Sequence, residues 1–420
     1  MAIDSPAPSL LHRFQSAMDL TARWAAVALL LGAPTSIALV NIAVLLILVC
    51  WPLSGRYAGK WALIRQHPIT LPSLLLFALV LVGILYTDAP RSTIGTHLYV
   101  YSKFPMMLML ITLLHEPRWQ NRALVAFAVG SLITLVSTYA NIWVQVPWSD
   151  SHTRGFGVSH NIFNDYIAQG LAMSFFTALA VVYAMEAKGR ATRLLWSVVV
   201  VFAVFSITHL LQGRTGQAVL LAMFCALALV SVPVVWRWRS LAAVLLLMAL
   251  LFASSPLLRE RILSGFTEFG QYLDGGVVST SIGARLDMWK NAWTMFVDSP
   301  VWGHGTGGYR VYSLQFYNDA GQCAISCVHP HNQFLFFAAE HGVIGVLAYV
   351  WLLQRALAAG LALHGRYRLL AVAFMAILLV DSFINGPFWV TTERHFFASM
   401  LPLLLAGWHA ASQPSGRQRA

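Results

Sequence analysis

Stretches of about twenty apolar residues recur along the whole of this chain, and a helix needs about that many to cross the hydrocarbon of a bilayer. Residues 24–51, 166–186, 216–235 and 369–386 are stretches of this kind. Of the 420 residues, 58% are hydrophobic and only 10% are charged, against roughly a quarter charged in a soluble domain. The chain is therefore read as an all-α polytopic membrane protein. About twelve crossings are expected, near 20–33, 35–54, 70–86, 103–115, 123–146, 166–186, 194–210, 216–235, 240–254, 333–353, 369–386 and 395–411. The first two share one run that is too long for a single crossing, and Gly32-Ala33-Pro34-Thr35 divides it. That run also exceeds the apolar core of a signal peptide, so none is expected.

Charge sets the expected orientation. With the N-terminus cytoplasmic, ten of the 27 Lys and Arg lie outside: Arg91, Lys103, Arg154, Arg214, Arg259, Arg261, Arg285, Lys290, Arg310 and Arg394. The rest flank inner helix ends, following the positive-inside bias. Most of the net charge of +11 is thus membrane orientation, and no nucleic-acid-binding module accompanies it. The outer cations run against the bias and call for an anionic ligand. Transport is disfavoured, because these charges gather at one face and the chain has no paired halves.

Three regions follow: 1–254 with nine membrane helices and short loops, 255–332 as a large outer loop, and 333–420 with three more helices and a cytoplasmic tail. Within the loop, Ser279-Thr-Ser281 offers N-cap hydroxyls to a helix over about 282–297, which Pro300 stops. A second helix is expected over 309–317. Trp289, Trp293, Phe296 and Val297 fall on one side of the first helix, as suits the lipid interface. Cys323 and Cys327 are close enough for a local disulfide in an oxidising compartment. With His329 and His331 they are too compactly spaced for a usual tetrahedral zinc site, and no paired-acid metal motif lies on the outer face. No cofactor is expected.

His331 is the candidate base, since an imidazole titrates near neutral pH and this one stands where the chain re-enters the membrane. Arg214, in Gln212-Gly-Arg-Thr-Gly216, and Arg285 are candidates for holding phosphate oxygens, because guanidinium binds them bidentately. Arg154, Lys103 and Asn332 are further substrate-binding candidates.

His331-Asn332, then nine residues, then Gly342-Val-Ile-Gly345 resembles the H-[N/S/Q]-x9-G-x-x-G signature of the O-antigen ligase and polymerase-like superfamily of bacterial envelope glycosyltransferases. Arg214 falls where that superfamily has an arginine at the outer end of a mid-chain helix, although Gly213-Arg214-Thr215 replaces the commoner Ser-Arg-Gly. Arg285, Trp289 and Ser299-Pro-Val-Trp-Gly-His-Gly305 are similar to its R…W…(D/H)-P-x-x-G-x-G run. The resemblance implies a GT-C-like fold and an undecaprenyl-diphosphate-linked glycan donor. It also implies a lipid A–core acceptor and inverting, metal-independent transfer at the periplasmic face of the inner membrane. A polymerase or a pilin oligosaccharyltransferase using the same donor shares these motifs, and a lipid-linked sugar transporter is the alternative of another class.

Overall fold

The computed structural model describes residues 9–275, 279–317 and 326–408, and every regular element among them is a helix. The first seven are α1 (Leu10–Gly32), α2 (Ile37–Leu53), α3 (Tyr57–Gln66), α4 (Thr70–Gly83), α5 (Arg91–Tyr101), α6 (Lys103–Leu114) and α7 (Pro117–Trp143). The expected break between α1 and α2 is present, and Ser36 caps α2 by accepting from Leu39 N at 3.2 Å. Next come α8 (Tyr166–Glu186), α9 (Arg190–His209), α10 (Arg214–Ser231) and α11 (Arg237–Ser254). The loop region expected over 255–332 holds α12 (Pro256–Gly275), α13 (Ser281–Asp298) and α14 (Gly308–Ser313), and the chain then continues through α15 (Gln333–Ala362), α16 (Gly365–Ile384) and α17 (Thr391–Leu405).

All twelve expected segments are helical. By length and apolarity, however, eight helices among the described residues can cross a membrane, or nine if the sharply bent pair α2–α3 is one span. α1, α4 and α17 fall short of that standard, so these criteria do not support a count of twelve. Aromatic rings knit the last helices to the middle of the chain: Phe175 on α8 packs against Phe374 on α16 and Phe396 on α17 at centroid distances of 5.5 and 6.2 Å. α11 buries none of its residues, leaving its apolar sides free to face lipid.

The loop region is helical beyond the two elements expected within it: residues 256–275 form a 20-residue helix. The aromatic side of α13 is also divided: Trp293 and Val297 are exposed, while Trp289 turns inward and donates from Nε1 to the carbonyl of His331 at 3.4 Å.

The expected continuous helix after His331 is likewise broken. Gly342 has φ 60° and ψ −157°. Phe334 and Tyr349 would be about 22 Å apart along an unbroken helix, yet their rings lie 5.3 Å apart, as do those of Phe337 and Tyr349. The arm 333–341 therefore folds back along the start of the following helix. Residues 299–308 are seated in this turn: His304 N and Gly305 N donate to the carbonyls of Ala339 and Glu340, and Val343 N donates to that of Pro300. A Cβ on Gly342 would lie 2.2 Å from the Val301 oxygen, so only glycine fits. Glu340 adds a buried clasp, accepting from Gly307 N at 3.1 Å and meeting His97 Nε2 at 2.9 Å.

Candidate functional site

Arg214 opens α10, Arg261 lies on α12 and Arg285 on α13; together with Gln212, Tyr166 and Thr215 they line one cavity of about 60 Å³. α10 reaches this place because it crosses α8 through two glycines, where a Cβ on Gly216 would sit 3.0 Å from the Cα of Gly170. Arg214 presents one edge of its guanidinium to Glu268 of α12, with Nη2 3.2 Å from each carboxylate oxygen. Glu268 also accepts from Ile282 N at 2.9 Å. One carboxylate thus fixes α10, α12 and the start of α13 to each other. Nη1 of Arg214 is buried without a hydrogen-bond partner among the described residues. Arg261 donates to Gln212 Oε1 at 2.8 Å. Arg285 joins no hydrogen bond or ion pair among the described residues, so its planar set of donors is unclaimed.

Arg285 also faces His331 and His329 electrostatically. His331 stands at the foot of the folded-back arm with φ 49°, in the left-handed region that a non-glycine residue enters only when its surroundings hold it there. Its Nδ1 lies 2.8 Å from Asn385 Oδ1. An amide oxygen only accepts, so Nδ1 carries the hydrogen and Nε2 keeps the free lone pair. Asn385 is held in turn by donating from Nδ2 to Glu393. Burial, then the charge of Arg285, lowers the His331 pKa to about 4, with the Asn385 hydrogen bond opposing. Burial also pushes His329 well below the usual imidazole value, assisted by His331 and Arg285. At neutral pH His331 is accordingly an uncharged imidazole, the form that accepts a proton. Any anion that settles on Arg285 would raise its basicity by neutralising the nearby charge.

Three expected substrate contacts are placed otherwise. Asn332 is the N-cap of α15: its Oδ1 accepts from Leu335 N at 3.0 Å and its Nδ2 donates to Phe383 O at 2.9 Å, so both ends of the amide serve the fold. Arg154 is exposed in the 144–165 connection and does not line the arginine cavity. Lys103 is buried on α6, where Nζ donates to Tyr99 O at 3.2 Å, and it too is absent from that cavity. Of the expected disulfide, Cys323 lies outside the described residues.

Sequence reasoning passed over Arg261, Glu268, Asn385 and Glu393 as site residues. For the α12 pair a signal existed: residues seven apart lie on one side of a helix. Asn385 had none, being 54 residues from its histidine.

Arg214 also lines an apolar groove of about 620 Å³ between α10, α11, α12 and α13, with Leu221, Met248, Phe252, Ile262, Phe266 and Phe269 among its other walls. A guanidinium shared by an oily groove and a polar cavity suits an amphiphile whose anionic head meets Arg214 and whose chain lies along the helices.

Residues 207–350 match the family model described as O-antigen ligase, a segment that contains Arg214, Arg261, Arg285 and His331. An uncharacterized protein of Haemophilus influenzae is 29% identical over 99 residues, which cover 22% of this chain and 24% of that protein; the match thus spans about a quarter of the relative's length. A chain from the solved structure described as "Structural coordination of polymerization and crosslinking by a peptidoglycan synthase complex" aligns over 82% of this chain and 98% of its own, with 16% identity and a TM-score of 0.45. That likeness is too distant to transfer a fold or a function.

Proposed function

We propose that this chain, an O-antigen ligase-like membrane protein over residues 207–350, is a glycosyltransferase. In this reading it moves a glycan from undecaprenyl diphosphate to a sugar hydroxyl of lipid A–core, at the periplasmic face of the inner membrane. One observation carries the reading: Arg214 is shared by a polar cavity with two further arginines and by an apolar groove. A lipid-linked diphosphate has these two halves in this order. Its oxygens would meet Arg214, Arg261 and Arg285, and its polyprenyl chain would lie in the groove.

The acceptor oxygen then attacks the anomeric carbon while the bond from that carbon to the diphosphate oxygen breaks, inverting the centre. The hydroxyl proton passes to Nε2 of His331, and the electron pair leaves with the diphosphate. The guanidinium groups stabilise the charge that develops there, a role worth about 2.7–4 kcal/mol per lost donor in comparable sites. Asn385 is a positioning residue in this scheme, since it holds the imidazole with Nε2 unprotonated.

Glycan analysis of a deletion strain tests the acceptor. The ligase reading expects lipid A–core without O-antigen while lipid-linked polymer accumulates. A single repeat unit still attached to the core would identify a polymerase, and loss of pilin glycan alone a protein-directed transferase.

A further inference from the structure

Lys103 lies apart from the arginine cavity, and its surroundings raise a separate question. It begins α6, and Arg394 occupies the first turn of α17; the two side chains are only 3% and 6% exposed. Both cations approach the ring of Tyr99, Lys103 Nζ at 4.1 Å and Arg394 Cζ at 5.3 Å from its centroid. Lys103 otherwise donates to the Tyr99 carbonyl and to Ser102 Oγ, and Arg394 to the carbonyl of Trp389 at 2.9 Å. No carboxylate is within ion-pair distance of either among the described residues. Glu393, the nearest acid in the chain, is engaged by Asn385 instead. Arg394 Nε is buried without a partner, and so are both ring nitrogens of the adjacent His395.

Two buried like charges repel, and desolvation adds to the penalty at membrane depth. Arg394 also sits in the first turn of α17, where the peptide dipoles favour an anion and oppose a cation. An aromatic face and a few carbonyls offset only part of this. We propose that Lys103 and Arg394 form a second oxyanion site, taking a phosphate or carboxylate group carried by a lipid. The inference rests on the transferase reading in one respect: Arg214, Arg261 and Arg285 already serve the donor, so an anion on the acceptor is the natural occupant. Glu393, Asn385 and His331 form a hydrogen-bonded path that begins one residue from Arg394, so an acceptor anchored at this site would have its glycan near the base. The headgroup of an ordinary anionic phospholipid has the same chemistry and is the other source.

The test has two arms. In the first, the full-length protein in uncharged detergent, carrying Arg214→Gln, Arg261→Gln and Arg285→Gln to remove the donor cations, is titrated with phosphatidic acid or with phosphatidylcholine. Binding is followed as a rise in Tm. Phosphatidic acid should bind at least tenfold more weakly after Lys103→Gln or Arg394→Gln, while Lys103→Arg and Arg394→Lys retain binding. Undiminished binding in both Gln variants would overturn the site.

The second arm uses the wild-type protein and its Lys103→Gln and Arg394→Gln variants in proteoliposomes with intact and phosphatase-treated acceptor. A KM at least tenfold higher for treated acceptor, with donor KM unchanged, supports the acceptor as the occupant. Equal KM values, with a transfer rate that rises with phosphatidylglycerol content only when Lys103 and Arg394 are present, support the phospholipid. Equal KM values with no such lipid dependence, or a raised donor KM in Lys103→Gln, contradict the proposal. If wild-type protein transfers nothing, the transferase reading fails while the first arm still decides the site.

Discussion

His331 combines a left-handed backbone, a hydrogen bond to Asn385 and the nearby charge of Arg285, and these together set its chemistry. The groups facing it are Arg285 from α13, His329 beside it and Asn385 at the end of α16, with Glu393 of α17 behind Asn385. Because its pKa is lowered to about 4, the neutral form persists well below the usual imidazole range. The kcat/KM of transfer should therefore stay flat from about pH 8 to about pH 5.5 and fall only below that. The limb for kcat reports the bound complex, in which a diphosphate on Arg285 neutralises the charge that disfavours imidazolium. It should lie at higher pH than the limb for kcat/KM. Arg285→Ala should raise the kcat/KM limb toward the ordinary value, burial still holding it somewhat lower. An acid limb near pH 6.5 in the wild type, unmoved by Arg285→Ala, would separate the arginine from the base. His331, Arg214 and Arg285 were singled out because each combines a reactive type with a place that the charge pattern assigns to the outer face, and Arg214 and Arg285 do share one cavity. Lys103 and Arg154 met the same criteria, yet they lie elsewhere, since sequence position says nothing about which outer cations share a cavity. Asn332 is a related case: an amide just before an apolar run is also what an N-cap requires, and its side chain serves as one.

The fold-back at Gly342 shows how one helical pattern can hide two elements. Residues 333–353 read as one apolar span because nothing in their periodicity marks a reversal, and the glycines at 342 and 345 are by themselves tolerated in helices. The reversal is supplied from a distance, by residues 299–308 donating to carbonyls freed at the break. The second half of the Gly342-Val-Ile-Gly345 signature is thus architectural, and it holds the arm whose foot is His331. Gly342→Ala should destabilise the protein by about 2–6 kcal/mol, from a strained φ and a clash with Val301. Thermal unfolding in detergent would register this as a lowered Tm and reduced recovery of folded protein. An unchanged Tm would mean that the arm does not depend on the turn. α12 was not among the helices specified for this loop, although Leu258, Ile262 and Gly265 recur at helical spacing on the side facing α10 and α13.

At the scale of the whole molecule, helix positions followed from hydrophobic runs, which is the strongest constraint a bilayer imposes. The number of crossings did not follow, because helices such as α4 and α17, of 14 and 15 residues, are too short to meet the length of an independent span. The assembled helices place three arginines around a polar cavity, an oily groove beside it and a neutral histidine across from Arg285. The central claim is that these parts act together as a transferase, with arginines for the leaving group and His331 as base. Reconstituted protein supplied with undecaprenyl-diphosphate-linked glycan and purified lipid A–core tests it most directly, read as glycan joined to the core over time in the presence of chelator. The account predicts robust transfer by wild type, a loss of roughly a hundred- to a thousand-fold in Arg214→Ala and in Arg285→Ala with little rescue by Lys, and a loss of about 10²–10⁴-fold in His331→Gln. An active His331→Gln enzyme, or wild-type transfer that stops in chelator and returns with one divalent cation, would contradict it.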